Sequence, residues 1–88
     1  MRDKATKKKA NGKQLLRLIE RQEYRCALSG LILTPDVATL DHIVPMSEGG
    51  SDVIDNLQWV HEELNRMKGT MDNRSFIELS RKVARWNA

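Results

Sequence analysis

Five polar residues, Asp41, His42, Asn56, His61 and Asn65, lie within one short stretch of the chain. A packed apolar core needs none of them, but a metal-assisted hydrolysis can use them all. Carboxylate and amide oxygens and a neutral imidazole nitrogen are ligands for Mg²⁺ or a first-row transition ion. Imidazole is also the side chain suited to taking a proton from water near neutral pH.

The stretch reads LDHIVPMSEGGSDVIDNLQWVHEELNRMKG, residues 40–69. His61 and Asn65 are four apart on a predicted helix, which puts both on one face. Asp41 lies near the end of a predicted strand. A strand hairpin packed on that helix would bring Asp41 opposite the pair. His42 then points to the other side of the strand, since successive side chains alternate. Asn56 is placed to hydrogen-bond the imidazole and so set its tautomer and aim. Each residue also has a plain reading. A histidine is commonly a satisfied structural residue, Asn56 suits a turn, Asn65 suits an exposed helix face, and Glu62 and Glu63 suit solvated charges. Trp59 reads as core before it reads as a base-stacking surface. Singly, each residue favours the plain reading. The joint spacing favours a site.

The elements that must position these residues follow from periodicity and punctuation. The spacing of Leu15, Leu16 and Ile19, with Leu18, predicts a helix from about Gly12 to Glu23. CALSGLILTPD reads as a turn and irregular strand punctuated by Gly30 and Pro35. VATLDHIVP predicts a strand stopped by Pro45, and SEGGSD a loop. NLQWV predicts a second short strand, or the lead into a helix. VHEELNRMK predicts a short helix capped by Gly69, with Val60, Leu64 and Met67 buried. The last helix carries Phe76, Leu79, Val83 and Trp86 as its expected inner stripe, with Ser75 and Glu78 at capping-box spacing and Asp72 or Asn73 as the alternative cap. The fold class is α+β: a hairpin and helix flanked by two more helices.

The chain has 88 residues, so one domain is expected, with a small core. Residues 1–10 read as a basic disordered arm, and 11–88 as the domain, with its motif at 38–69. The single cysteine, Cys26, excludes an internal disulfide and suits a reducing compartment. No apolar run is long enough to span a bilayer. The charged N-terminus lacks an apolar segment, so no secretory signal is expected. Net charge is only +3, but its distribution is uneven. Residues 1–25 hold nine Lys or Arg against three acids; residues 26–65 hold seven acids and no Lys or Arg; residues 66–88 hold six basic residues and two acids. A polyanion would be repelled by the middle and drawn to the ends. A bound divalent cation would reverse the repulsion locally. Lys7, Lys8 and Lys9 read equally well as a solvated tail and as a nucleic-acid contact.

The blocks DHIVP, GG, NLQW and NRMKG, in that order, resemble the HNH endonucleases, with weaker likeness in YRCALSG and SFIELSRKVA. The resemblance implies a ββα-metal fold and a metal-dependent endonuclease cleaving DNA to 5′-phosphate and 3′-hydroxyl ends. By position it implies His42 as general base, Asn56 as the residue that positions it, and Asp41 and Asn65 as metal ligands. It also implies one divalent cation, Mg²⁺ or Mn²⁺ or another transition ion. His61 falls where some members have an additional metal-binding histidine. It is expected near the metal without being essential; the alternatives are a remnant beside a lost zinc site and a simple hydrogen-bonding role. Many members carry two C-x-x-C pairs for a structural zinc. Here those positions read CALS and HEEL, so only Cys26 keeps a thiol and no structural zinc is expected. Arg66, Lys68 and Arg74 are expected to clamp flanking phosphates, or else to be solvated charges at helix ends. Double-stranded DNA is the expected partner, with the protein a monomer or homodimer in the cytoplasm of a bacterial or phage-infected cell. The rival readings are a non-catalytic nucleic-acid-binding module and a small subunit of a phage or restriction assembly.

Overall fold

A computed structural model describes residues 8–88. The expectations for Lys7 and for most of the basic arm fall outside the described residues. Helix α1 spans Gly12–Arg21, strand β1 Ala38–His42, strand β2 Leu57–His61, helix α2 Glu62–Lys68 and helix α3 Asn73–Trp86. The α+β expectation holds. β1 and β2 form a two-stranded antiparallel sheet in which Ala38 faces His61 and His42 faces Leu57.

Local chemistry sets the boundaries. Asn11 opens α1 through a capping box: its side chain accepts the Gln14 N–H, and Gln14 returns a bond to the Asn11 N–H. α1 stops at Arg21, short of the expected Glu23, because Glu23 and Tyr24 both take positive φ. The strand from VATLDHIVP ends at His42, three residues before Pro45. β2 runs on to His61, so α2 starts two residues later than expected and His61 becomes its N-cap. Asp72 caps α3, its Oδ1 accepting the Ser75 N–H at 2.8 Å.

The core is small. Cys26, Leu33 and Val60 are buried together, and Ile19, Leu28, Val37, Ala38, Trp59 and Leu64 pack against them. α1 is tied to β2 by polar bonds as well. Gln22 bonds both backbone groups of Trp59, and the Trp59 indole donates to the Leu15 carbonyl. Trp59 is thus a core residue. Two expectations about apolar faces fail. Leu16 and Met67 are exposed at 58% and 64%. On α3 only Phe76 is buried, while Leu79, Val83 and Trp86 are exposed at 51%, 58% and 88%. The spacing is helical, but no second surface among the described residues lies over the outer turns of α3.

The cap of α3 gives a pH signature. Hydrogen bonds from Ser75 hold the Asp72 carboxyl below its ordinary value, with Lys68 and Arg74 adding to the effect. A carboxyl whose folded value is depressed stabilises the fold above the ordinary carboxylate range. That contribution is lost as pH falls through the lowered value. Asp72→Ala should therefore lower the urea midpoint at neutral pH, with the gap to wild type narrowing as pH falls through and below the ordinary carboxylate range. A gap that stays constant across that range would contradict the assignment.

Candidate active site

The open end of the hairpin gathers most of the polar residues. Asp41 is the fourth residue of β1 and His42 the last. The two are neighbours in a paired strand, His42 lying opposite Leu57. Both line one cleft of about 250 Å³, with Pro45, Met46, Ser47, Gly69 and Thr70. Its walls are thus the end of β1, the following loop and the residues just after α2.

Asp41 is 6% exposed. One of its oxygens, Oδ2, accepts from Lys68 Nζ at 2.7 Å and from Gln58 Nε2 at 2.8 Å. Lys68 also donates to the His42 carbonyl at 2.6 Å and is 1% exposed. Lys68 is therefore no phosphate clamp: its ammonium is spent inside the protein. Gln58, the cross-strand partner of Asp41, is held in turn by a two-way amide pair with Asn73 at 2.9 and 3.0 Å. The other carboxylate oxygen of Asp41, Oδ1, bonds no described residue.

The His42 ring is half-exposed. Its Nε2 lies 2.7 Å from Asp52 Oδ1, and its Nδ1 bonds no described residue. Asn56 was expected to hold this imidazole and does not. Its Oδ1 accepts the Val44 N–H at 2.9 Å, and its Nδ2 donates to the carbonyls of Val44 and Ser51 at 3.0 and 2.9 Å. The side chain thus closes the loop between the strands, and its own carbonyl accepts the Ile43 N–H. Gly50 sits inside this closure. A Cβ there would stand 1.8 Å from the Val44 carbonyl oxygen, so only glycine fits.

Asn65 lies one helical turn before Lys68, on the same side of α2. Its half-buried side chain makes no hydrogen bond to a described residue. His61 is elsewhere. The register places it opposite Ala38, three residue pairs from Asp41, or about 10 Å along the strand. Its Nδ1 accepts the Glu63 N–H at 3.1 Å, and its backbone N–H points at Cys26 Sγ, 3.4 Å away. The expectation of His61 near a metal on Asp41 is corrected accordingly: it is a helix cap at the opposite end of the hairpin. Burial alone would push the Cys26 thiol up, but hydrogen bonds from Ser29 and from the backbone of His61, Leu28 and Ser29 bring it below its ordinary value. Arg66, Arg74, Lys8 and Lys9 are exposed.

Sequence reading missed Asp52, Gln58, Asn73 and the burial of Lys68. Lys68 had a signal: it lies four residues after Leu64, on the inner face of α2. Gln58 had one once the register was known. Asp52, ten residues from His42 in an irregular loop, had none.

Among the described residues, no three His, Cys, Asp or Glu side chains cluster to hold a metal ion, and no helix is long and apolar enough to cross a membrane. A family model described as HNH endonuclease matches residues 24–70, just over half of the chain. No curated protein matches the sequence.

Removing one partner of a buried ion pair leaves an uncompensated charge. Lys68→Met should cost about 3–5 kcal/mol in urea unfolding, and Lys68→Met with Asp41→Leu should recover much of it. A loss under 1 kcal/mol for the single variant would mean that the pair is not sealed from water.

Proposed function

The chain belongs to the HNH endonuclease family, and from that premise we propose that it is a metal-dependent endonuclease hydrolysing DNA phosphodiester bonds. The observation that carries this reading is one cleft lined by both Asp41 and His42, inside the matched region. Residues 11–88 act as a single nuclease domain.

The donors fit a sparsely held divalent ion. Neither Asp41 Oδ1 nor the Asn65 amide has a described hydrogen-bond partner, and the charge on Asp41 is fixed in place by Lys68 and Gln58. Mg²⁺ ordinarily takes one or two protein carboxylates and fills its remaining positions with water and phosphate oxygens. Asp41 and Asn65 would hold it. When bound, the ion would neutralise the scissile phosphate and stabilise the charge developing on the leaving O3′.

The protein's own residues do the rest. His42 Nδ1 takes a proton from the water that attacks phosphorus. The P–O3′ bond breaks, and the leaving O3′ takes a proton from solvent, giving a 5′-phosphate and a 3′-hydroxyl. The Asn56 clamp and Gly50 fix the loop that forms one wall of the cleft. Arg66 and Arg74, exposed on α2 and at the start of α3, hold flanking phosphates of double-stranded DNA. Lys8 and Lys9 do so beside the loop, since Ala10 N–H bonds the Asp52 carbonyl at 2.9 Å.

The test is cleavage of supercoiled plasmid with Mg²⁺, Mn²⁺ or EDTA. Wild type should nick with metal and not with EDTA, and His42→Ala should lose at least about 100-fold while still binding DNA. Asp41→Ala is a poorer probe, because it also strands the buried Lys68. Nicking by His42→Ala at the wild-type rate would overturn the reading. DNA bound but uncut under every metal would favour a binding module.

A further inference from the structure

We propose that Asp52, and not Asn56, is the positioning residue of the His42 imidazole. The inference rests on His42 being the base, and it assigns to the loop a role that the matched motif does not.

The contact is short, 2.7 Å between His42 Nε2 and Asp52 Oδ1, in the range of charge-assisted hydrogen bonds. Both side chains are substantially exposed, at 33% and 40%. An ion pair so open to water adds little to stability, so holding the fold together does not account for it. What it does is orient. A carboxylate only accepts, so the nitrogen facing it must carry the hydrogen. In the neutral ring that leaves the lone pair on Nδ1, the nitrogen with no described partner. Asp52 therefore chooses which nitrogen is basic and fixes the plane of the ring.

The loop is built to hold Asp52 still. The carbonyl of the residue before it, Ser51, accepts from Asn56 Nδ2. Its own carbonyl accepts from Ala10 N–H. Gly50, two residues back, is pressed against Val44 and donates its N–H to the Pro45 carbonyl at 2.9 Å. Asn56 thus acts on His42 at one remove, by fixing the backbone from which Asp52 reaches the ring.

The experiment compares wild type with Asp52→Asn, Asp52→Ala and Asp52→Glu in the full chain. It uses ¹⁵N-edited long-range NMR of the histidine rings without metal, beside plasmid-nicking kinetics with Mg²⁺. Wild type should show His42 as the Nε2–H tautomer with a resolved downfield Nε2–H proton. Asp52→Asn, whose amide can donate to Nε2, should raise the Nδ1–H population and cut kcat about 10- to 100-fold at little changed KM. Asp52→Ala should lose the downfield proton, and Asp52→Glu should restore both the tautomer and most of the rate. A residue that only braced the loop would change the melting temperature and leave the tautomer alone. An unchanged tautomer and kcat in Asp52→Asn would overturn the proposal. If wild type cleaves nothing, the catalytic reading fails, and the NMR comparison alone still decides whether Asp52 sets the ring.

Discussion

An ammonium taken out of water is destabilising by several kcal/mol unless a carboxylate and further acceptors meet it. Lys68 is such a group, and the rest of the site is arranged around it. From the last turn of α2 it bonds the side chain of Asp41 and the backbone of His42. One cation therefore fixes two consecutive residues of β1, and with them the angle between hairpin and helix at the end where the cleft opens. Gln58 and Asn73 extend the network from β2 to the start of α3. Apart from Asp41 Oδ1, the side chains in this chain of contacts answer one another. That is the condition under which a buried polar network specifies an arrangement instead of weakening it.

The two catalytic candidates are thus held by opposite kinds of environment. Asp41 is rigid because it is buried and paired. His42 is half-open, its backbone anchored from inside by Lys68 and its ring met from outside by the loop. The two residues are neighbours in β1, and both line the one cleft.

Much of the architecture could be read from the sequence, because it rests on local signals. Apolar period gave α1 and α3, β-branched runs gave the two strands, and Gly69 marked the stop of α2. The errors share a physical source: each concerned what a residue meets across space. The stripe Leu79, Val83 and Trp86 has helical spacing, but spacing does not say whether a surface lies opposite. Asn56 and His61 were placed by type and position, yet the strand register decides what they reach, and a separation of three pairs put His61 out of range. Lys68 was read by its charge, while its place on the inner face decided its role. Asp41 and His42 do line one cleft at the end of the hairpin, since strand order alone suffices to bring them there.

Helix α3 is anchored at its start, where Asp72 caps it, Phe76 is buried and the Asn73 N–H bonds the Ile43 carbonyl at 3.2 Å. Ile43 directly follows His42. Fourteen residues extend from that anchor, a rod about 20 Å long. Mechanically this is a lever with its fulcrum beside the cleft. A tilt of about 10° at the first turn would carry the Trp86 end about 3.5 Å.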